Sequence, residues 1–318
     1  MTAAFAYLSD HRFLKAEPLQ AHHRFGIAGL CWDGATTFRP GARFGPRAIR
    51  ASSHMLCDGT HPHFDVSPLG CMGDAGDLPL PNTHLEAMRR AMDAPVRALL
   101  AQHHMVWLGG DHSVTLPLMR AYHRQLGRPL AVIHFDAHCD TWADHFGEPS
   151  GHGTWVREAV DQGLADARGF VQIGIRSAAE REAREFIPDR GGLLFSARSL
   201  RGREGPAQLR DILGCIRDRM ALLGHPPVYL SLDIDCLDPA HAPGTGTPEP
   251  AGLSTAQVMT FLEELADLPF VGMDCVEVAP AYDHAELTSA AAAHLVWTYL
   301  CGRSAAQRTE AGPTDVPG

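Results

Sequence analysis

Short apolar runs alternate with longer amphipathic stretches over most of this chain. The runs are rich in Val, Ile, Leu and Phe, and the stretches between them have the length and apolar spacing of helices. Continuous apolar runs are typical of strands that are buried on both faces, as in parallel sheets covered by helices. The alternation therefore predicts an α/β fold with a mostly parallel central sheet.

The same pattern predicts the individual elements. Strands are expected at 25–31, 105–109, 130–136, 169–176, 192–196, 228–235 and 270–278. Helices are expected near 83–102, 113–126, 154–164, 178–186, 206–223, 254–267 and 287–302, with Ser113 and Ser254 as N-caps. No repeat or break in composition divides the chain, so we expect one domain followed by a flexible tail at 304–318.

Composition excludes several classes of function. With 45% hydrophobic residues among 318, the chain can bury a large core. A net charge of -10 without clustered basic residues argues against nucleic acid as a partner. The only lysine, Lys15, lies near the N-terminus, which excludes a phosphate-loop lysine or a Schiff-base lysine deep in the fold.

The cysteines point to a reducing compartment. The chain contains 8 cysteines but no CxxC pair and no apolar run of membrane-spanning length, and we expect no signal peptide. We therefore expect reduced thiols, a cytoplasmic location and no membrane partner.

Acidic and histidine side chains gather where three predicted strands end. The runs are followed by "GGDHS" (109–113), "DAHCD" (136–140) and "DIDCLDP" (233–239). In α/β sheets, ligands bind beyond the carboxyl ends of the strands. Because residues two apart share a face of an extended chain, Asp136, His138 and Asp140 can point into one cleft, as can Asp233 and Asp235.

Four carboxylates beside two histidines, His112 and His138, predict paired metal ions. The carboxylates could not all stay ionised in a dry cleft without cations, and two divalent ions would balance them. Oxygen-rich ligands with one histidine each favour Mn²⁺, with Ni²⁺ or Co²⁺ as alternatives. A single cluster could equally be a cap or a turn, but three clusters at one edge favour a metal site. Cys139 alternates to the opposite face and is expected to pack in the core.

Several segments resemble the arginase/agmatinase, or ureohydrolase, family: "GGDHSVTLP", "FDAHCDT", "VQIGIRS", "SLDIDCLDPAHAPGTGTPEPAGLS" and "VEVAPAYDHAELT". "RPGARFGPRAIR" (39–50) extends the similarity, which is strongest with the agmatinase branch. The resemblance implies a three-layer α/β/α catalytic domain at 25–303 after an N-terminal extension at 1–24. It also implies a binuclear Mn²⁺ centre, hydrolysis of a guanidino group to urea and an amine, and a homo-oligomer, either a trimer or a hexamer.

The resemblance also implies roles for individual residues. One metal would be held by His112 and Asp140, and the other by His138 and Asp235, with Asp136 and Asp233 bridging. Glu277 matches the glutamate that orients the guanidinium. His152 in "SGHGT" matches the family's loop histidine, and His152 or Asp140 would protonate the departing amine.

Departures from the family pattern leave the substrate open. The usual "GVPxD" is replaced by "GLCWD" (29–33), and Trp142 and Trp155 flank the loop that carries His152. These tryptophans either pack loops against the core or a neighbouring subunit, or form an aromatic wall that contacts the substrate. Asp283 is a candidate anchor for a distal ammonium group.

We expect agmatine to be hydrolysed to putrescine. Alternative substrates are guanidinobutyrate, guanidinopropionate, guanidine, an N-alkylguanidine or a biguanide. Two further hypotheses belong to other classes: a deacetylase-like enzyme with a single zinc ion, and a non-catalytic or partner-dependent subunit that forms a hetero-oligomer with a related chain.

Overall fold

A sheet of eight parallel strands forms the centre of the computed structural model, which describes residues 11–311. Across the sheet the strands follow the order β2-β1-β3-β8-β7-β4-β5-β6. Their bounds are β1 Phe25–Leu30, β2 Met72–Asp77, β3 His104–Gly109, β4 Leu130–Phe135, β5 Ala165–Ile173, β6 Leu193–Phe195, β7 Val228–Asp233 and β8 Phe270–Val276.

Helices cover both faces of this sheet. Their bounds are α1 Gly45–Ser53, α2 Leu85–Leu100, α3 Thr115–Leu126, α4 Trp155–Asp161, α5 Arg181–Arg184, α6 Ala197–Leu200, α7 Pro206–Leu222, α8 Thr255–Glu264 and α9 Leu287–Ala311. Buried side chains of α1, α7, α8 and α9 pack in one apolar core, and those of α2, α3 and α4 pack in a second. The predicted three-layer α/β/α fold is thus confirmed.

Some helix ends differ from those that the local sequence pattern predicted. Ser254 caps α8 as predicted, accepting a hydrogen bond from the Gln257 backbone N–H. Ser113 was wrongly predicted as a cap, because Asp111 takes that position before a short 3₁₀ turn that leads into α3. Helix α9 continues to Ala311, beyond the predicted end at 302, and residues 312–318 of the predicted tail lie outside the described part of the chain. So do residues 1–10 of the predicted N-terminal extension.

Strand β2 was missed because its sequence, "MGDAGD", contains no apolar run. Its carboxylates instead pair with a buried arginine of α1. The Arg50 side chain is fully buried, donates to both oxygens of Asp74 at 2.8 and 2.9 Å, and also contacts Asp77. The Phe13 backbone N–H donates to the same Asp74 carboxylate at 2.8 Å. This ion pair joins β2, α1 and the segment that precedes β1.

The order of the strands positions the predicted clusters. Strands β3, β8, β7 and β4 are consecutive neighbours. Since all four are parallel, their carboxyl ends meet at the middle of one sheet edge. The polar segments that follow β3, β4 and β7 are therefore adjacent, although they are far apart in sequence.

None of the helices in residues 11–311 combines the length and the apolar character needed to cross a membrane.

The buried ion pair yields a stability prediction. Arg50→Met should lower the free energy of unfolding by about 3–5 kcal/mol, because Asp74 and Asp77 would remain buried without their cation. Urea unfolding followed by circular dichroism measures this. Arg203→Met, which removes a partner of Asp211 on the surface, serves as the control and should unfold close to wild type. If Arg50→Met and Arg203→Met had the same urea midpoint of unfolding, Arg50 would not be the cation that stabilises the buried Asp74 and Asp77.

Candidate active site

Three strand ends deliver the predicted ligand residues to one buried cluster. His112 follows β3 after a tight turn, in which a Cβ added at Gly110 would collide with the backbone carbonyl oxygen of Trp32. A larger residue at 110 is therefore excluded. The remaining members lie at or directly after the ends of β4 and β7, and all six lie at the same edge of the sheet: His112, Asp136, His138, Asp140, Asp233 and Asp235.

Three carboxylates surround one nitrogen of His112. Its Nδ1 lies 3.2 Å from Asp136 Oδ2, 3.0 Å from Asp140 Oδ2 and 3.1 Å from Asp233 Oδ2. Burial would lower the pKa of His112, but these carboxylates outweigh it and raise the pKa well above its ordinary value. A site that attracts a proton this strongly would also attract a metal cation.

The other ring nitrogen of His112 fixes its tautomer. Ser231 Oγ donates its only proton to Asp274 Oδ1 at 2.7 Å, so it accepts from His112 Nε2–H at 2.8 Å. With Nε2–H directed at Ser231, Nδ1 is the atom that faces the carboxylates, and it has no hydrogen-bond partner among the described residues. A buried nitrogen opposite three carboxylate oxygens requires a proton or a metal cation between them, which fits a metal ligand held by a supporting hydrogen bond.

His138 forms a second group beside the first. Its Nδ1 lies 3.0 Å from Asp235 Oδ2 and 3.3 Å from Asp136 Oδ1. Asp136 therefore turns one oxygen toward each histidine and links the two groups. Asp233 faces His112 with Oδ2, while its Oδ1 accepts from the Asp235 backbone N–H at 2.9 Å. Burial, together with Asp235 and Asp136, raises the pKa of Asp233 well above its usual range.

Side chains outside the predicted ligand set support the cluster. His134 Nε2 lies 2.8 Å from Asp136 Oδ2, and Trp155 Nε1 donates to Asp140 Oδ2 at 2.8 Å. The Trp155 side chain is completely buried, with its ring 4.9 Å from that of His112. Asp140 has a left-handed backbone, with φ 53°, as does Glu277 with φ 63°. Strained backbones of this kind occur often at functional sites.

Glu277 and His152 meet next to the cluster. Glu277 Oε1 lies 2.9 Å from His152 Nδ1 and accepts from the His112 backbone N–H at 2.9 Å. Its Oε2 is buried and has no hydrogen-bond partner among residues 11–311. Burial would lower the pKa of His152, but the Glu277 carboxylate outweighs it and raises that pKa to about 9. His152 can therefore carry a proton near neutral pH.

A cavity of about 300 Å³ opens over these groups. His112, His138, Asp140 and Asp233 line it together with His152. The remaining lining includes aromatic and small polar side chains from the loops, namely Thr37, Trp142, His145, Phe146, Ser177 and Thr247, and the carboxylate of Asp144. Among the described residues, no Arg or Lys contributes to the lining.

Two predicted substrate contacts lie elsewhere in the described structure. Trp155 donates a hydrogen bond to Asp140 from the buried side of the cluster. Neither Trp155 nor Asp283 is among the described residues that line the cavity. Asp283 accepts from the backbone N–H groups of Thr288 and Ser289 at 2.9 and 3.0 Å, in the first turn of α9. Cys139 is buried against Ile175 and Ala183, as predicted.

Sequence reasoning missed His145, Phe146 and Thr37. Phe146 lines the cavity although the residue is 93% exposed, and Thr37, which also lines the cavity, contacts His152 Nε2 through its hydroxyl. No periodic pattern marks these loop positions. The "GATTFRP" segment offered only a turn-rich composition, so the contact of Thr37 became visible only in three dimensions.

The sequence model described as the Arginase family matches residues 23–302. The agmatinase of Chromobacterium violaceum is 41% identical over 282 residues, which cover 86% of this chain and 82% of that protein. The crystal structure of a hypothetical agmatinase from Burkholderia thailandensis superposes with a TM-score of 0.83 at 37% identity, covering 94% of this chain and 91% of that one.

The proclavaminate amidino hydrolase of Streptomyces clavuligerus gives a TM-score of 0.85 at 34% identity, covering 95% of this chain and all of that one. The resemblance seen in the motifs is therefore confirmed over nearly the whole fold. This chain belongs to the arginase family.

Proposed function

We propose that this protein hydrolyses the guanidino group of a small cationic substrate to urea and an amine, with agmatine and putrescine as substrate and product. The observation that carries the proposal is the buried Oε2 of Glu277, which lies beside the carboxylate and histidine cluster and has no hydrogen-bond partner in the described part of the chain. A carboxylate there matches the planar, cationic array of N–H donors in a guanidinium. The similarity to proteins named agmatinase supports the choice of agmatine.

We propose that the cluster holds two divalent ions, Mn²⁺ or alternatively Ni²⁺ or Co²⁺. His112 and Asp140 would hold one ion and His138 and Asp235 the other, with Asp136 and Asp233 between them. Oxygen-rich donors with one imidazole each fit such ions. When bound, paired ions supply an activated water and positive charge that stabilises the transition state.

The protein's own side chains would orient the substrate and deliver a proton. Glu277 Oε2 would accept hydrogen bonds from the guanidinium and turn its carbon toward the cluster. His152, protonated near neutral pH, is the group we propose to protonate the departing amine. Asp140 is a second candidate for this role. Both side chains line the cavity.

The lining of the cavity favours a cationic or neutral substrate tail. Asp144 contributes a carboxylate, and the described lining holds no Arg or Lys to pair with an anionic tail. Trp142 and Phe146 add aromatic surface, which attracts ammonium groups. These features favour agmatine over guanidinobutyrate or guanidinopropionate, whose carboxylates would meet like charges.

The alternative hypotheses are less well supported by the geometry. A deacetylase with a single zinc ion would not need two histidines with separate carboxylates, such as His112 with Asp140 and His138 with Asp235. A subunit that depends on a partner would not need the full donor set within one chain. We also propose a homo-oligomer, which the exposed Phe38, Phe44 and Leu287 could support as contact residues.

Substrate selectivity tests the proposed function. With Mn²⁺ bound, we expect kcat/KM for urea release to be about 100-fold or more higher for agmatine than for guanidinobutyrate, because like charges in a binding site cost several kcal/mol. Guanidine, guanidinopropionate, arginine and biguanides complete the panel, with Ni²⁺ and Co²⁺ compared. Absence of urea from every compound with every metal would refute the function.

Metal content tests the ligand assignment. Asp136→Ala should lose both ions, since the two oxygens of Asp136 face both histidines, whereas Asp235→Ala should retain about one ion per chain. Elemental analysis after gel filtration measures this. Asp144→Asn removes a cavity carboxylate outside the cluster and should keep both ions. Two tightly held ions in Asp136→Ala would rule out the bridging role.

Glu277→Gln should keep the metal content of wild type but lower kcat/KM for agmatine roughly 10- to 100-fold. The reason is that a neutral amide replaces a charge-assisted hydrogen bond, which contributes about 1.5–3 kcal/mol. Steady-state urea assays measure the effect, and elemental analysis checks the metal. An unchanged rate would remove Glu277 from the substrate site.

A further inference from the structure

Arg176 connects several segments at the sheet edge that carries the cluster. It follows β5, in the "VQIGIRS" segment (171–177), and it is half-buried. Nη2 donates to the carbonyl oxygens of Asp235 at 2.8 Å and Leu237 at 3.2 Å, and Nε donates to that of Pro250 at 3.0 Å. The other hydrogen bonds of this guanidinium within residues 11–311 also go to backbone carbonyls, those of Gly174, Cys236 and Glu249. A planar group with five N–H donors can hold several carbonyls in fixed directions.

Arg176 binds two separate parts of the segment that joins β7 to α8. The first part, 235–237, begins with the predicted ligand Asp235. The second part, 249–250, follows Thr247, whose hydroxyl donates to Asp235 Oδ2 at 3.2 Å. A Cβ added at Gly252, in the same segment, would collide with Arg176 Nη2, so the glycine leaves room for the guanidinium. Arg176 therefore restrains both the backbone of Asp235 and the part of the chain that supports its carboxylate.

Arg176 is also attached to the segment that follows β4. Its backbone N–H donates to the Ala137 carbonyl oxygen at 2.8 Å, and the Ala137 backbone N–H donates to Asp235 Oδ1 at 3.0 Å. Ala137 directly precedes His138, whose Nδ1 lies 3.0 Å from Asp235 Oδ2. His138 and Asp235 thus belong to two segments that Arg176 joins, one through its backbone and the other through its side chain.

The other pair of predicted ligands has different supports. His112 Nε2 donates to Ser231 Oγ at 2.8 Å, and Trp155 Nε1 donates to Asp140 Oδ2 at 2.8 Å. Neither of these hydrogen bonds involves Arg176. The two pairs, His138 with Asp235 and His112 with Asp140, should therefore respond differently when the guanidinium is removed.

We propose that Arg176 is a positioning residue for the ion that His138 and Asp235 would hold. Its hydrogen bonds to the carbonyls on both parts of the β7–α8 segment keep Asp235 Oδ2 directed at His138. Without the guanidinium, Asp235 is free to turn away, and the ion between these two side chains is bound more weakly. The ion held by His112 and Asp140 keeps its own supports. This inference rests on the proposed pair of ions.

The segment between β7 and α8 has further hydrogen bonds that do not depend on the Arg176 side chain. The Asp238 backbone N–H donates to the Leu253 carbonyl oxygen at 2.8 Å, and the Leu253 backbone N–H donates to that of Cys236 at 3.0 Å. Arg176→Met, which removes the donors and keeps most of the side-chain length, should therefore fold with this segment closed at its base.

A second arginine offers a matched control. Arg303 is buried, and its Nη1 donates to the carbonyl oxygens of Ala266 and Leu268 at 2.8 Å each. Leu268 precedes β8, so these contacts lie at the end of the sheet opposite the cluster. Arg303→Met therefore removes the same kind of hydrogen bond without touching the segments that carry the ligands.

Metal binding tests the role of Arg176. Equilibrium dialysis of metal-free protein against a series of Mn²⁺ concentrations, followed by elemental analysis, gives the affinity for each ion. In Arg176→Met, the affinity for one ion should fall about 10- to 100-fold and that for the other should stay within about twofold of wild type, since partners that orient a ligand typically have effects of this size. Arg303→Met should bind both ions as wild type does. Circular dichroism checks that each variant is folded.

A double variant tests whether Arg176 acts through Asp235. Asp235→Ala should already have lost the ion that Arg176 supports. Adding Arg176→Met to it should therefore leave the affinity for the remaining ion unchanged within about twofold, because effects on one shared site are not additive. A general disturbance of the fold would instead weaken the remaining ion as well.

Arg176→Lys is a second, milder variant. It keeps the positive charge but loses the planar fork of donors. We expect its affinity for the supported ion to lie between those of wild type and Arg176→Met. If Arg176→Met does not fold, the lysine variant decides the question, with an affinity about 10-fold below wild type as the expected result.

The outcomes separate this inference from the proposed function. If wild type binds two ions and the arginine variants bind both of them equally well, the role of Arg176 alone is overturned. So it is if Arg176→Met weakens both ions to the same extent. If wild type binds two ions but releases no urea, the proposed hydrolysis fails, and the binding data still decide the role of Arg176. A wild type that binds no ion would refute both.

Discussion

The organisation of this protein depends on the burial of several carboxylates around His112. Anionic oxygens of Asp136, Asp140 and Asp233 lie within 3.0–3.2 Å of one imidazole nitrogen in a site almost closed to water. Such an arrangement is unfavourable unless a cation compensates it. The fold must therefore hold mutually repelling groups in place at the edge of the sheet.

The surrounding structure supplies this restraint through hydrogen bonds rather than through apolar packing alone. Ser231, which is itself hydrogen-bonded to Asp274, fixes the His112 ring through a hydrogen bond. The indole N–H of Trp155 donates a hydrogen bond to Asp140. The tryptophans near the site therefore divide by role. Trp32 and Trp155 are buried supports, and Trp142 lines the cavity.

Much of the fold could be predicted because burial leaves a local signature. Seven of the eight strands coincide with apolar runs in the sequence. The polar residues at the ends of β3, β4 and β7 indicated where the cluster would form. Strand β2 left no such signature, since it is an edge strand whose carboxylates pair with the buried Arg50. The sequence alone does not show that a distant arginine makes Asp74 and Asp77 compatible with a strand.

The sequence by itself determined the chemistry of the cluster, because residues two apart share one face of an extended segment and this relation is local. Only the tertiary structure decided what surrounds it. Thr37, His152 and Glu277 are separated by 115 and 125 residues, and they meet because the segments that follow β1, β4 and β8 lie at the same edge of the sheet. Strand order depends on the packing of the whole chain, so no local pattern could reveal that His152 contacts a threonine on one side and a glutamate on the other.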